Sequence, residues 1–236
     1  MKSYCVVLPV YNNAATVGDV IKRILAQTRH LLVVDDGSTD IDLPALCNSL
    51  DVECVRHEAN RGKGAALRTA INLLKDRPYD YMITLDADGQ HYPEDIPAFL
   101  PLMEQDGALI IGCRDFNDPN VPGASRFGRK LSNFWLKLET GIAVDDSQSG
   151  YRAYPLKYIV QLPCITNHYN FETEILIRAA WANLPFVNLP VHSYYPPRGE
   201  RVSHFHPWRE NFQISLIHAY LVVLRLLSFP KKKLIR

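Results

Sequence analysis

The sequence lacks the cysteine pattern of a metal- or disulfide-stabilised protein. Its five cysteines are widely spaced, and no two of them form a C-x-x-C pair. Zinc ribbons need paired cysteines, and small secreted scaffolds need a dense, even set of them. We therefore expect free thiols and a cytoplasmic protein.

The chain also has neither a clean apolar span nor an excess of charge. Its only long apolar stretch, residues 212–229, contains His218 and Arg225 and is too polar for a typical transmembrane helix. The net charge is only +1, so we expect no nucleic-acid partner. The 47% hydrophobic share of the 236 residues is that of a globular protein.

The glycine-rich phosphate loops of two nucleotide-binding classes are missing. After the first predicted strand the chain has Pro9-Val-Tyr-Asn-Asn. A dinucleotide oxidoreductase would have G-x-G-x-x-G there, and a nucleotidyltransferase would have a glycine-rich loop with a lysine.

The first half of the chain alternates between strand and helix patterns. Continuous apolar runs predict buried parallel strands, and apolar residues at helical spacing predict the helices between them. The predicted strands are residues 4–10, 31–36, 52–56, 81–86 and 108–112, and the predicted helices are residues 14–27, 43–50, 64–75 and 94–103. This order predicts an α/β fold with a mostly parallel central sheet and helices on both faces.

The pattern loosens after residue 115. Residues 129–140 and 171–182 are predicted as amphipathic helices, and residues 186–191 as a strand. Residues 193–207 are rich in Pro, Gly and Arg, which predicts a mobile loop or lid. We expect one main domain over residues 1–207 and an appended segment over residues 208–236.

Acidic residues follow the fourth predicted strand, and ligands of parallel sheets bind at the carboxyl ends of strands. Asp86 and Asp88 lie in a turn that Gly89 permits, and they can share a divalent cation. Gln90 adds a neutral oxygen ligand, and an oxygen set without cysteine favours Mg²⁺ or Mn²⁺ over Zn²⁺. An Asp-x-Asp pair alone also forms ordinary turns.

The end of the second strand and the start of the third helix each allow two interpretations. Asp35 and Asp36 can accept hydrogen bonds from a ribose or a base, or they can form turns and cap the next helix. The glycines and amides of Asn60-Arg61-Gly62-Lys63-Gly64 suit an anion, or they simply begin the helix.

Taken together, these segments resemble glycosyltransferase family 2, and its dolichol- and polyprenyl-phosphate mannosyl- or glucosyltransferase branch is most similar. The resemblance runs from about residue 4 to about residue 205. The motifs that carry it are Pro9-Val-Tyr11-Asn12-Asn13, Val34-Asp35-Asp36-Gly37-Ser38, Asn60-x-Gly62-Lys63-Gly64, Asp86-x-Asp88-Gly89-Gln90-His91 and Ser149-Gly150-Tyr151-Arg152.

The resemblance implies a three-layer, nucleotide-sugar-binding fold of the GT-A type and an inverting, metal-dependent transfer from a nucleotide-diphosphate sugar. Asp86, Asp88 and Gln90 match the metal-binding triplet of the family. Asp35 or Asp36 would hold the base or the ribose. The predicted donor-binding residues are Pro9, Tyr11, Asn13, Asp35, Asp36, Lys63, Asp86 and Arg201.

A lipid-linked acceptor, such as a polyprenyl phosphate or glycolipid, or an envelope glycoconjugate is the expected second substrate. Asp146 matches a position assigned to catalysis or acceptor contact, and it could deprotonate an acceptor hydroxyl or position a phosphate. Glu174 and then Glu172 are rival bases. The cations predicted around the acceptor or its phosphate are Arg114, Arg126, Arg129 and Arg152.

The C-terminal segment combines a helix pattern over residues 208–227 with the basic cluster Lys231-Lys232-Lys233. An apolar helix beside basic residues is typical of attachment to an anionic lipid surface, although the helix could also pack on the main domain. We expect a peripheral protein on the cytoplasmic face of the membrane.

Two alternatives to a glycosyltransferase remain. A non-catalytic nucleotide-sugar-binding or scaffold protein would have no need of Asp86, Asp88, Gln90 and Asp146 together. A nucleotidyltransferase would need the glycine-rich loop that is missing after the first strand.

Overall fold

The computed structural model describes residues 1–119, 121–195 and 215–224. Seven strands form one sheet in this part of the chain. They are β1 (Tyr4–Val10), β2 (Leu31–Asp35), β3 (Glu53–Arg56), β4 (Tyr81–Thr84), β5 (Leu109–Arg114), β6 (Arg152–Pro155) and β7 (Phe186–Val191). The helices are α1 (Val17–Leu25), α2 (Leu43–Ser49), α3 (Lys63–Leu74), α4 (Ile96–Phe99), α5 (Gly123–Thr140), α6 (Leu156–Ile159), α7 (Asn170–Trp181) and α8 (residues 215–224).

The strand order is β3-β2-β1-β4-β6-β5-β7. Within it β6 pairs antiparallel with both β4 and β5, and the other described pairs are parallel. The carboxyl ends of β1, β2 and β4 therefore meet at one edge of the sheet, which is where ligands of open α/β sheets bind. The predicted α/β class with a mostly parallel sheet is confirmed.

Both faces of the sheet are covered, because alternate side chains of the central strands pack into two separate cores. Val7 of β1 lies in the core shared with α3 and α7, whereas Val6 and Leu8 lie in the core shared with α1 and α4. All three side chains are fully buried. This arrangement explains why β1 is a continuous apolar run rather than an alternating one.

Several elements differ from the sequence prediction. Helix α5 begins at Gly123 rather than at residue 129, and the short helix α6 was not predicted. The continuous helix predicted over residues 94–103 is wrong, since α4 lies between two short 3₁₀ turns, Pro93–Asp95 and Leu100–Glu104. Pro97 and Pro101 each lack the amide hydrogen that an uninterrupted helix needs. The strand β6 was not predicted, because it is short and begins with a charged residue.

Helix α8 packs on the main domain through Ile217 and Leu221, which lie in the same core as α3 and α7. No helix within the described ranges is long and apolar enough to cross a membrane. The predicted lid over residues 193–207 lies outside the described residues beyond Tyr195, and so does Arg201. The boundary after residue 207 and the basic cluster at residues 231–233 also lie outside them.

Candidate active site

The acidic residues that follow β4 meet a lysine from the start of α3. Nζ of Lys63 lies 2.6 Å from Oδ1 of Asp86 and 3.0 Å from Oε2 of Glu172, at the start of α7. Burial alone would lower the pKa of Lys63, but the two carboxylates outweigh it and raise that pKa above its ordinary value. The three side chains form a charged cluster at the carboxyl edge of the sheet.

Asp88 and His91 complete this cluster without joining its ion pairs. Oδ1 of Asp88 accepts a hydrogen bond of 2.9 Å from the amide of Gln90, which holds the turn closed. Burial, followed by the charge of Asp86, raises the pKa of Asp88 to about 6. Nε2 of His91 lies 4.0 Å from Asp86, and burial lowers the pKa of His91 to about 4. The imidazole is therefore neutral near pH 7.

Gly150 allows the loop before β6 to approach this cluster. A methyl group at this position would lie 2.5 Å from Oδ2 of Asp86 and 2.7 Å from Nζ of Lys63. The hydroxyl of Thr84 donates a 2.8 Å hydrogen bond to the carbonyl of Gly150, which ties the loop to the end of β4. Only a glycine fits here without displacing the charged groups.

Asp36 shapes the segment before α3. Its carboxylate accepts hydrogen bonds from the amides of Arg61 (3.0 Å) and Gly62 (2.7 Å) and lies 2.7 Å from Nδ1 of His57. A carboxylate with this many partners organises a loop. For Asp36 the structure thus favours the turn-forming interpretation over contact with a ribose or base.

The start of α3 is covered by protein. The amide of Ala65 donates to the carbonyl of Asn167 at 2.8 Å, and a methyl group at Gly64 would meet Phe171 and Asn167. This geometry favours the plain helix start over an anion site, because the glycines serve close packing against residues 167–171.

Asp35 differs from its neighbour because one of its oxygens has no hydrogen-bond partner. Oδ1 accepts from the amide of Ser38 at 2.8 Å, whereas Oδ2 is buried and only faces Nη1 of Arg56 at 3.4 Å, without hydrogen-bond geometry. A buried carboxylate oxygen without a partner is costly unless a ligand completes it. Asp35 is therefore the stronger candidate for donor contact.

Three other predicted donor residues lie on β1 or just after it, and β1 pairs with the strand that ends at Asp35. Pro9 is buried in β1 and is the register partner of Val34. Tyr11 and Asn13 follow β1 and are half-buried. The carbonyl of Asn13 accepts from the amides of Thr16 and Val17 and so begins α1.

Asp146 and Arg114 form a buried ion pair on the other side of the cluster. Nε and Nη2 of Arg114 donate to the two carboxylate oxygens of Asp146, at 2.7 and 3.0 Å. Burial alone would lower the pKa of Arg114, but the charge of Asp146 keeps it above its ordinary value. Asp146 is fully buried, and both of its carboxylate oxygens are bonded to Arg114.

Two further predicted cations line a groove of about 260 Å³ with Phe116, Asn117 and Lys130. Arg126 donates to the carbonyls of Phe116 and Asp118, at 3.1 and 2.8 Å. The Arg129 guanidinium lies 3.9 Å above the ring of Phe116 and donates to the carbonyl of Asp145. These bonds fix both cations in the groove, and Arg129 also contacts the loop that carries Asp146.

The predicted roles of two residues need correction. Arg152, predicted to contact the acceptor or its phosphate, is fully buried and donates to the carbonyls of Ser147, Ser149 and Glu172. Those bonds use its donors to hold the loop before β6, so it is a structural residue.

Glu174, predicted as a rival base, is fully buried and accepts bonds from the amides of Ile165 and Thr166 and from Nε of Arg178. With these partners it anchors the loop before α7. Glu172, predicted as the weaker candidate base, is the glutamate that contacts Lys63 in the charged cluster. Helical spacing could have distinguished the two glutamates, because side chains two residues apart on a helix point to different sides.

The sequence profile described as Glycosyl transferase family 2 matches residues 5–159. An uncharacterized protein of Methanocaldococcus jannaschii is 32% identical over 80% of this chain and 81% of its own. The polyprenol monophosphomannose synthase of Mycolicibacterium smegmatis is 27% identical over 79% of this chain and 75% of its own.

Among solved structures, glucosyl-3-phosphoglycerate synthase from Mycobacterium tuberculosis, in complex with Mn²⁺, UDP and glucosyl-3-phosphoglycerate, has the same fold. The TM-score is 0.67 and the identity 23%, over 95% of this chain and 80% of that one. The predicted resemblance to the polyprenyl-phosphate branch is confirmed by the relatives. The chain belongs to glycosyl transferase family 2 and is a glycosyltransferase.

Proposed function

We propose that this enzyme transfers a sugar from a nucleotide-diphosphate sugar to a lipid-borne phosphate, with inversion at the anomeric carbon. The observation that carries the proposal is the position of the acidic cluster of Asp86 and Asp88 between two other features. On one side lies Asp35, whose Oδ2 has no hydrogen-bond partner, and on the other lie Arg114 and the basic groove.

On the donor side, Oδ2 of Asp35 would accept a hydrogen bond from the base or the ribose. Pro9, Tyr11 and Asn13 would line the same pocket, and Lys63 would lie near the diphosphate through its contact with Asp86. Arg201 is proposed as a further contact to the donor.

A divalent cation, Mg²⁺ or Mn²⁺, would be held through Asp86, Asp88 and Gln90. The raised pKa of Asp88 reflects burial and repulsion from Asp86, which a cation would relieve. Within the described ranges no three Asp, Glu, His or Cys side chains form a metal-binding group. Two carboxylates and an amide leave room for phosphate oxygens, as Mg²⁺ sites on phosphate substrates do. When bound, the cation would neutralise the diphosphate leaving group.

On the acceptor side, a lipid phosphate is already ionised at neutral pH and needs no base. Asp146 would then act by holding the Arg114 guanidinium toward the phosphate, and Arg126 and Arg129 would add positive charge. A single in-line attack on the anomeric carbon expels the nucleoside diphosphate and inverts the configuration. The relatives named as polyprenol- and dolichyl-phosphate sugar transferases support this acceptor class.

Residues 208–236 would attach the enzyme to the cytoplasmic face of a membrane without spanning it. The support is compositional, since the segment joins an apolar helix pattern to Lys231-Lys232-Lys233.

The test is a product assay on the purified full chain. Polyprenyl phosphate in detergent is incubated with UDP-, GDP- and dTDP-sugars in Mn²⁺, in Mg²⁺ or in EDTA, and the lipid is analysed by mass spectrometry. We expect one donor to give a sugar–phosphate–lipid product that disappears in EDTA. Full product in EDTA would overturn the metal assignment, and hydrolysis of every donor without a lipid product would overturn the acceptor class.

A further inference from the structure

Helix α5 carries its apolar side chains on the outside of the protein. Phe127 is 69% exposed, Phe134 57% and Leu138 63%, and Leu131 is exposed beside them. These four residues, hereafter the outward face of α5, recur at helical spacing and form one stripe. A helix that only packed on the main domain would turn this stripe inward.

The opposite side of α5 faces the protein, with Leu136 in the core and polar side chains bonded to residues 145–147. Asn133 donates to the carbonyl of Asp145 at 2.8 Å and accepts from the amide of Ser147 at 2.9 Å. The hydroxyls of Ser132 and Ser147 lie 2.8 Å apart. These bonds fix the orientation of the helix, so the exposure of the apolar stripe is built into the fold.

Helix α8 packs beside α5. His218 lies 2.8 Å from the buried carboxylate of Glu139, and the centre of its ring lies 6.0 Å from that of Trp135. With its core side turned inward, α8 leaves Leu216 and Tyr220 exposed, at 53% and 41%. Both helices therefore carry exposed apolar side chains.

Two basic side chains border the stripe on one side. At about 100° per residue, Lys130 and Lys137 fall on one border of the outward face of α5. Both lysines are exposed, whereas the only acidic residue of α5, Glu139, is buried against His218. An apolar stripe bordered by lysines matches the chemistry of an anionic lipid surface.

We propose that the outward face of α5, together with the exposed side of α8, docks on an anionic lipid bilayer. A second copy of the chain is the less suitable occupant, because a two-fold contact would bring the same lysines of both copies together. The choice of a bilayer rests on the proposed lipid-borne acceptor. Arg126 and Arg129 of the same helix line the basic groove, so docking would place that groove within one helix diameter, roughly 10 Å, of the headgroups.

The proposal is tested by co-sedimentation of the full chain with vesicles of phosphatidylcholine and phosphatidylglycerol. The double variant Phe134→Ser/Leu138→Ser should bind roughly tenfold more weakly than wild type, because two apolar side chains no longer insert. The matched control Val160→Ser/Ile165→Ser removes exposed apolar side chains elsewhere and should bind like wild type. Lys137→Gln should reduce binding only to anionic vesicles, with Lys75→Gln as its control. Melting temperatures should be unchanged in all four variants.

Equal binding of wild type and Phe134→Ser/Leu138→Ser would overturn the proposal and leave attachment to residues 208–236 alone. A stable dimer in light scattering that Leu138→Glu separates would overturn it in favour of a second copy. Vesicle binding that depends on α5, without transfer to any lipid phosphate, would support docking while the proposed acceptor fails. Transfer to a detergent-dispersed acceptor without vesicle binding would support the proposed acceptor and overturn docking.

Discussion

The donor side and the acceptor side of the active site are held in place by different structural elements. On the donor side, Asp35 and Asp36 end a buried strand and bond to backbone amides of the adjacent segments. On the acceptor side, Asp146 pairs with Arg114 of β5, and its loop is held by Arg152 and also by side chains of one long helix, α5, whose other face is exposed. The donor side therefore shares the rigidity of the sheet, whereas the acceptor side depends in addition on how α5 is supported.

The largest expected effect is on the cluster between the two sides. Asp88→Asn should lower turnover about a thousandfold, because it removes a charged ligand of the proposed cation. The substitution keeps the size of the side chain, and Asp76→Asn at an exposed position is the control. Initial rates at saturating Mn²⁺ measure the effect, and wild-type rates in Asp88→Asn would show that the cation is held elsewhere.

The acceptor side is tested by Asp146→Asn, which should lower kcat about a hundredfold by releasing the Arg114 guanidinium. The KM for the donor should hardly change, because Asp35 and the cluster are untouched. Steady-state kinetics with each substrate varied in turn separate the two parameters. A rise in donor KM with unchanged kcat would move Asp146 to the donor side.

Gly150→Ala should cause a smaller loss, about tenfold in turnover, since the new methyl group would displace Asp86 and Lys63. Both displaced groups are ends of flexible side chains, so the fold should survive. Gly18→Ala, whose methyl group would meet nothing closer than 3.9 Å, is the matched control. Thermal melting checks the fold, and equal rates for the two variants would mean that the cluster tolerates displacement.

The smallest effect on turnover is expected for Glu174→Gln, within about twofold, because its partners lie in the loop before α7 rather than in the site. Its stability should nevertheless fall by about 3 kcal/mol, since the charge of Arg178 would lose its buried partner. Urea unfolding gives the stability, and turnover is measured well below the melting temperature. A stable variant with no turnover would restore Glu174 as a catalytic candidate.

The donor half of the fold could be predicted because its signals are local. The apolar runs of β2 and β4 end in acidic turns, so the sequence pattern alone places Asp35, Asp86 and Asp88 at one edge of a parallel sheet. Local signals also conflict over residues 94–103, where the apolar spacing fits a helix but Pro97 and Pro101 interrupt it.

The acceptor half could not be predicted in the same way, because its signals are long-range. The spacing of α5 indicates an apolar face but not whether that face turns inward, which depends on the bonds of Asn133 and Ser132 to residues 145–147. The pairing of β6 with both β4 and β5 likewise exists only in the folded sheet. Arg152 and Glu174 were predicted as functional residues because the local sequence does not show that a charged side chain is buried.

The most direct test of this division is a calorimetric titration of nucleoside diphosphate into wild type, Asp88→Asn and Asp146→Asn, with and without Mn²⁺. We expect Mn²⁺ to strengthen nucleotide binding to wild type and to Asp146→Asn equally, and we expect this gain to be absent in Asp88→Asn. Loss of the gain in both variants, or its persistence in Asp88→Asn, would contradict a metal-dependent donor side that is built separately from the acceptor side.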